Sequence, residues 1–271
     1  MPHFAAADGT NLYYDVSGDG PAVLALAGLT RNSRDFDHVA PHLPCRLIRM
    51  DYRGRGKSDR ADPASYTIPQ EAQDALALLD HLGLEKTAIL GTSRGGLIAM
   101  GLAATAKDRL TGVALNDIGP EIAQAGLDVI MGYIGRNPVQ KTWEEAARFR
   151  AQTWTHFRNV PHERWMDEVR NHYEETPDGL LIRYDPKLRD AVIAAGAQPV
   201  PDLWPLFDAL AGLPLCLIRG ANSDLLSPGT ADEMARRRPD MIRVDVPDRG
   251  HVPFLDEPEA IAALKDWVSR L

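Results

Sequence analysis

The sequence predicts an α/β protein on a doubly wound, mostly parallel sheet, and three observations carry that prediction. Short runs that are apolar on both faces recur along the chain, and segments with helical periodicity separate them. Between about Pro120 and Asp202 the alternation breaks off, and it then resumes. A strand apolar on both faces belongs in a sheet covered by helices on either side. Strand–helix–strand alternation joins parallel strands through right-handed crossovers.

Taken in order, Leu12–Val16 reads as a short strand after a turn at Asp8-Gly9. The apolar runs Ala22–Ala27, Arg46–Met50, Thr87–Leu90, Leu110–Leu115, Pro214–Ile218 and Met241–Val246 follow. Thr67-Ile-Pro-Gln70 is a capping-box pattern with proline in the first turn, and Ala72, Ala75, Leu76 and Leu79 continue it at helical spacing. Ser227-Pro228 opens another helix that must end by Pro239. The last helix sets Ile261, Leu264, Val268 and Leu271 on one stripe. In the middle, strand candidates nearly vanish apart from Leu180–Tyr184, and Thr142-Trp-Glu-Glu145 is a second capping box. Helical stretches are expected over roughly 143–155, 161–175 and 186–195. Trp143, Trp154, Trp165 and Trp204 gather here, each read first as core of the insertion rather than pocket lining. The expected organisation is a core of residues 1–119 and 203–271, with residues 120–202 as a helical cap.

Composition narrows the function classes. The 271 residues are 44% apolar and 25% charged, as in ordinary globular chains. Thirty Lys and Arg against 38 Asp and Glu leave a formal charge of −8, which argues against nucleic-acid or anionic-membrane partners. No run approaches the roughly 18 apolar residues of a membrane span, and the N-terminus lacks the pattern of a signal peptide. Cys45 and Cys216 sit in apolar runs and read as buried thiols of a reducing compartment, so a cytoplasmic location is expected.

The chemistry-bearing segment is Gly91-Thr-Ser93-Arg-Gly95, a G-x-S-x-G placed after a buried strand and before an apolar, small-residue helix. That context makes a sharp strand-to-helix turn that holds the serine hydroxyl out at the strand end. Here the sequence resembles the α/β-hydrolase family over nearly its whole length. Gly28-Leu29-Thr30-Arg31 resembles the family's oxyanion loop, with Ala27 where the family often has histidine. Asp51-Tyr-Arg-Gly-Arg-Gly-Lys-Ser-Asp59 is similar to its D-x-R-G-x-G-x-S-D segment. Gly54–Ser58 is no phosphate-binding loop, because Asp51 stands where the first glycine is required.

The resemblance implies an α/β-hydrolase fold with a helical cap inserted after the sixth strand. It also implies a serine, acid and histidine in that chain order. Asp224, in Arg219-Gly-Ala-Asn-Ser-Asp224-Leu-Leu-Ser-Pro228, matches the family's acid loop, and His251 in Asp248-Arg-Gly-His251 matches the base. Asp117, ending the strand Val113–Ile118, is the competing acid position; Asp224 is preferred. The backbone N–H groups of Leu29 and Arg94 are the expected oxyanion donors. Arg31 and Asp117 are candidate substrate-binding residues, and the side chains of Arg31 and Arg94 are candidates for holding a substrate carboxylate. The expected activity is hydrolysis of a small carboxylic ester or lactone through an acyl-enzyme, with no cofactor and no metal. The alternatives are carbon–carbon hydrolysis of a vinylogous diketone, the weaker amidase reading, and a non-catalytic ligand receptor. The expected partner is a small acyl substrate.

Overall fold

A computed structural model of the chain describes residues 2–198 and 201–271; Met1, Pro199 and Val200, within the expected core and cap, lie outside them. The strands are β1 (His3–Ala5), β2 (Asn11–Ser17), β3 (Ala22–Leu26), β4 (Arg46–Met50), β5 (Thr87–Thr92), β6 (Leu110–Asn116), β7 (Tyr173–Thr176), β8 (Gly179–Ile182), β9 (Leu215–Gly220) and β10 (Ile242–Val246). The helices are α1 (Ile68–His81), α2 (Arg94–Thr105), α3 (Gln124–Tyr133), α4 (Trp143–Thr153), α5 (His162–His172), α6 (Leu188–Gly196), α7 (Trp204–Asp208), α8 (Pro228–Arg237) and α9 (Pro258–Val268).

Eight strands form one sheet in the order β1-β2-β4-β3-β5-β6-β9-β10. β1 and β2 run antiparallel to their neighbours, and every pairing from β4 to β10 is parallel. The alternation of side chains across a strand divides the core in two. Leu24 and Leu26 of β3 face α1, α2 and Met234 of α8, whereas Val23 and Ala25 face α9 and Phe36. Thr67 and Ser227 cap α1 and α8 as their sequence patterns require, accepting from Gln70 N at 3.3 Å and Thr230 N at 3.0 Å. Cys45 and Cys216 are buried free thiols.

The chain leaves the sheet after β6 and returns at β9. Between them α3, α4, α5, α6 and the β7–β8 hairpin lie over the carboxyl end of the sheet, and α7 packs back on the core through Phe207. Three local expectations are corrected. α3 forms where no helix was expected, because its only buried residue is Gly126 and no side chain caps it, leaving neither a buried stripe nor a start signal. β7 pairs antiparallel with β8 through charged residues, Glu174 opposite Leu181, so it carries no strand-like apolar run. On α9 the expected stripe holds for Leu264 and Val268, with Leu271 packed on the same core, but Ala260, Ala263 and Trp267 share the buried face and Ile261 lies only at its edge. The fully buried Trp267 sets that rotation by donating from Nε1 to Pro214 O at 3.1 Å.

Candidate active site

Ser93 occupies the turn between β5 and α2 with φ 50° and ψ −113°, a conformation L-residues avoid. Such backbone strain costs on the order of 1–3 kcal/mol and persists only where surroundings enforce it. They do so here by close approach. A Cβ on Gly91 would lie 2.5 Å from the Gly95 carbonyl carbon, and one on Gly95 would overlap the Leu26 carbonyl oxygen. Ser93 N donates to Asn116 O at 2.9 Å, tying the turn to the end of β6.

His251 reaches this serine from the loop after β10, with Nε2 3.0 Å from Ser93 Oγ. Its Nδ1 lies 2.8 Å from Asp117 Oδ2. Asp117 is fully buried just past β6 at φ 55°. Its Oδ1 accepts from Gly220 N at 2.8 Å, and its Oδ2 also accepts from the Ser223 hydroxyl at 2.6 Å.

The expectation that Asp224 faces the histidine is therefore corrected. The neighbouring Ser223 accepts from Leu225 N at 3.2 Å and Leu226 N at 3.0 Å, which turns the loop so that Ser223 meets Asp117. Asp224 lies half-buried on the cavity wall. Asp117 in turn is no substrate-binding residue: it sits behind His251, and all its bonds are internal.

The arginine expectations are corrected as well. Arg31 touches the cavity, but its Nε is paired with Asp35 and its Nη2 with Glu168 of α5 at 2.9 Å. The Arg94 side chain turns away to Glu71 at 2.5 Å and the Tyr66 carbonyl at 3.1 Å. Both guanidiniums are spent on scaffold.

The Gly28–Arg31 loop is braced from below by the Asp51–Asp59 segment. Arg55 donates from Nε to Leu29 O at 3.1 Å and pairs with Glu71 at 2.9 Å, the same carboxylate that holds Arg94. Asp51 accepts from Ser33 N at 2.7 Å and Lys57 N at 2.8 Å, so its carboxylate fills the loop that a phosphate cradle would leave open. The N–H of Leu29 enters none of the surrounding turn bonds. That of Arg94, first residue of α2, has no intrahelical acceptor. Among the described residues no group of three or more His, Cys, Asp or Glu side chains could hold a metal ion.

Above Ser93 and His251 opens a cavity of about 510 Å³, roofed by the inserted helices. Exposed apolar side chains line it, Val129 and Tyr133 of α3, Val139 of the loop that follows and Phe149 of α4, with the exposed Arg136 among them. Of the tryptophans, Trp165 is core of the insertion, whereas Trp154 both packs there and lines the cavity. Arg150 of α4 is a cavity residue that sequence reading missed, since an arginine in a charged helix looks solvated.

A family model described as the alpha/beta hydrolase family matches residues 23–264. The chain is 38% identical over 255 residues to a 3-hydroxybutyrate-oligomer hydrolase of Cupriavidus necator, covering 89% of this chain and 86% of the relative. It is 27% identical over 237 residues to a 2-(acetamidomethylene)succinate hydrolase of Mesorhizobium japonicum, covering 86% and 82%. A crystal structure of an alpha/beta hydrolase from Novosphingobium aromaticivorans superposes with a TM-score of 0.93 at 39% identity, covering 100% of this chain and 98% of that one.

Proposed function

The chain belongs to the alpha/beta hydrolase family, and we propose that it cleaves carboxylic esters of small hydroxy acids through Ser93, His251 and Asp117. The observation that carries this reading is the unbroken hydrogen-bond line Ser93 Oγ–His251–Asp117 at the floor of an open cavity. The 38% identical relative, named for hydrolysis of 3-hydroxybutyrate oligomers, supports the substrate class.

A serine hydroxyl is a poor nucleophile until a base takes its proton. In the proposed reaction His251 Nε2 accepts the Ser93 proton as Oγ bonds to the ester carbonyl carbon. Asp117 keeps the Nδ1 proton in place and stabilises the imidazolium. The carbonyl oxygen, now carrying the negative charge, is held by the N–H groups of Leu29 and Arg94; losing one such donor costs about 3 kcal/mol of transition-state stabilisation. As the tetrahedral centre collapses, the C–O bond to the alcohol breaks and His251 returns its proton to that oxygen. Water then attacks the acyl-serine with His251 again as base, and the carboxylic acid leaves with Ser93 restored.

The test is a fluorophosphonate probe together with an ester and lactone panel that includes a vinylogous diketone. Native protein is expected to take one covalent label and to turn over hydroxy-acid esters, and Ser93→Ala to do neither. Equal labelling of both proteins overturns the nucleophile. Cleavage of the diketone alone overturns the ester reading. Substrate binding without turnover by native protein would make the chain a receptor.

A further inference from the structure

Arg150 sits on α4, buried from bulk solvent yet part of the cavity wall. A guanidinium does not shed its proton in a protein, and a buried cation without an anion in contact is costly. The carboxylates around Arg150 are already taken. Glu168 accepts from Arg31 through Oε2 and from Arg164 through Oε1, each at 2.9 Å, and Asp35 pairs with Arg31. Arg150 Nη1 stands 3.9 Å from Glu168 Oε2, outside hydrogen-bond range.

Its own hydrogen bonds end on neutral groups. Nη1 donates to His172 Nδ1 at 2.7 Å and Nη2 to the Tyr173 hydroxyl at 3.2 Å. Burial, and then the charges of Arg31 and Arg150, push the His172 pKa well below the ordinary value, so the ring is an uncharged acceptor. The Trp154 and Tyr173 rings flank the guanidinium, their centroids 4.7 and 5.1 Å from its carbon. The result is a fixed planar cation in an aromatic corner of the reaction cavity, hydrogen-bonded to no carboxylate and left with only a 3.9 Å ion pair to Glu168, whose hydrogen bonds go to Arg31 and Arg164. The other cavity cations differ: Arg31 is neutralised by its two carboxylates, and Arg136 is exposed.

We propose that Arg150, with the Tyr173 hydroxyl beside it, is a subsite for a free carboxylate carried by the substrate. It would hold the acid end of the molecule against the cap while the scissile carbonyl lies over Ser93. This rests on the hydrolase reading above and narrows it to esters that are themselves acids. Guanidinium suits the role because its fork can meet both carboxylate oxygens.

The experiment compares kcat/KM for an ester bearing a distal carboxylate with that for its primary-amide isostere. Native protein is expected to prefer the acid by about ten- to a hundredfold, the range of a buried charge-assisted hydrogen bond. Arg150→Gln should bring the ratio to about one, Arg150→Lys should keep part of it, and Arg136→Gln should keep all of it. Because Arg150 also supports His172 and Tyr173, a second measurement needs no change at that position. Ser93→Ala protein is titrated calorimetrically with the same acid and amide, and the acid is expected to bind at least about tenfold tighter. Equal binding of acid and amide, or a ratio that survives Arg150→Gln, overturns the subsite. Selective acid binding with no turnover of any ester by native protein would instead keep the subsite and overturn the hydrolase reading.

Discussion

Asp117 and Asp224 both follow sheet strands, and what separates them is the donors each one meets. Asp117 is held by Gly220 N, the Ser223 hydroxyl and His251 Nδ1, while Asp224 sits on the cavity wall. In the proposed reaction an amide at position 117 favours the wrong imidazole tautomer, so Asp117→Asn is expected to lower kcat by roughly 10⁴-fold. Asp224→Asn should change it by about tenfold or less, having no tautomer to misplace. Steady-state kinetics of the two variants decide the matter, and the reverse ranking would restore Asp224 as the acid. The Ser93 turn makes a second prediction at this scale. A methyl at Gly95 must displace the Leu26 carbonyl, which is backbone in the middle of the sheet. Gly95→Ala should cost on the order of 1–3 kcal/mol, read as a lowered Tm. Both glycines of the motif were legible in the sequence, because only a residue without Cβ tolerates that approach.

α5 shows how an element rather than a residue positions the site. Arg164, Glu168 and His172 recur every fourth residue and so share one face. That face meets Arg31 and Asp35 at and just past the Gly28–Arg31 loop, with His172 Nε2 3.8 Å from Asp35 Oδ1. Buried carboxylates here diverge. Burial alone would raise Glu168, but Arg31 and Arg164 outweigh it and hold the acid well below the carboxylate range. Asp35 is pushed up to about 6, burial outweighing Arg31. His172 binds no proton in the fold at a pH where the unfolded chain, with a pKa near 6.5, does. Its contribution to stability is therefore present above that pH and is lost as the pH falls, by up to about 1.4 kcal/mol per pH unit. Asp35 works in the opposite sense between its unfolded value and about 6. Comparing native protein with His172→Asn isolates the histidine: the native Tm is expected to fall more steeply from pH 7 to 5.5. Parallel profiles would mean that the ring is protonated in the fold. A polar helix face with i,i+4 charges reads as solvated in the sequence, and only contact with the loop at 31–36 makes it interior.

At the scale of the whole molecule the insertion and the loop that carries His251 share one apolar cluster. Phe254, three residues past His251, stacks on Phe157 at 5.3 Å between centroids and meets Trp165 edge-on at 5.9 Å. Arg164 lies 4.2 Å over the same ring and also pairs with Asp256 at 2.7 Å. Removing that ring should therefore loosen the cap and the histidine together. Phe254→Ala is expected to cost about 3–5 kcal/mol, to speed hydrogen exchange in α5 and to lower kcat. Unchanged kcat alongside faster exchange would show that the histidine loop holds its geometry without the cap. The exposed apolar side chains of Val129, Tyr133, Val139 and Phe149 belong to the same arrangement: they line the cavity between the inserted helices and Ser93.

Local physics decided what the sequence could decide by itself. Runs apolar on both faces, capping residues ahead of α1 and α8, and glycines spaced around Ser93 act within a few residues, so the parallel strands of the sheet, the starts of those two helices, the Ser93 turn and the loop of His251 were readable, whereas β1, β7 and α3 were not. The tertiary structure alone decided which carboxylate meets His251, because β6 and β9 are neighbours in the sheet while Asp117 and Gly220 lie 103 residues apart in the chain. It also decided which arginine is left without a carboxylate in hydrogen-bond contact. Arg31 and Arg94 looked available beside the motifs and are neutralised by Glu168 and Glu71, whereas Arg150 looked solvated and is buried in the cavity wall. Charge pairing across elements depends on distances that no spacing in the chain encodes.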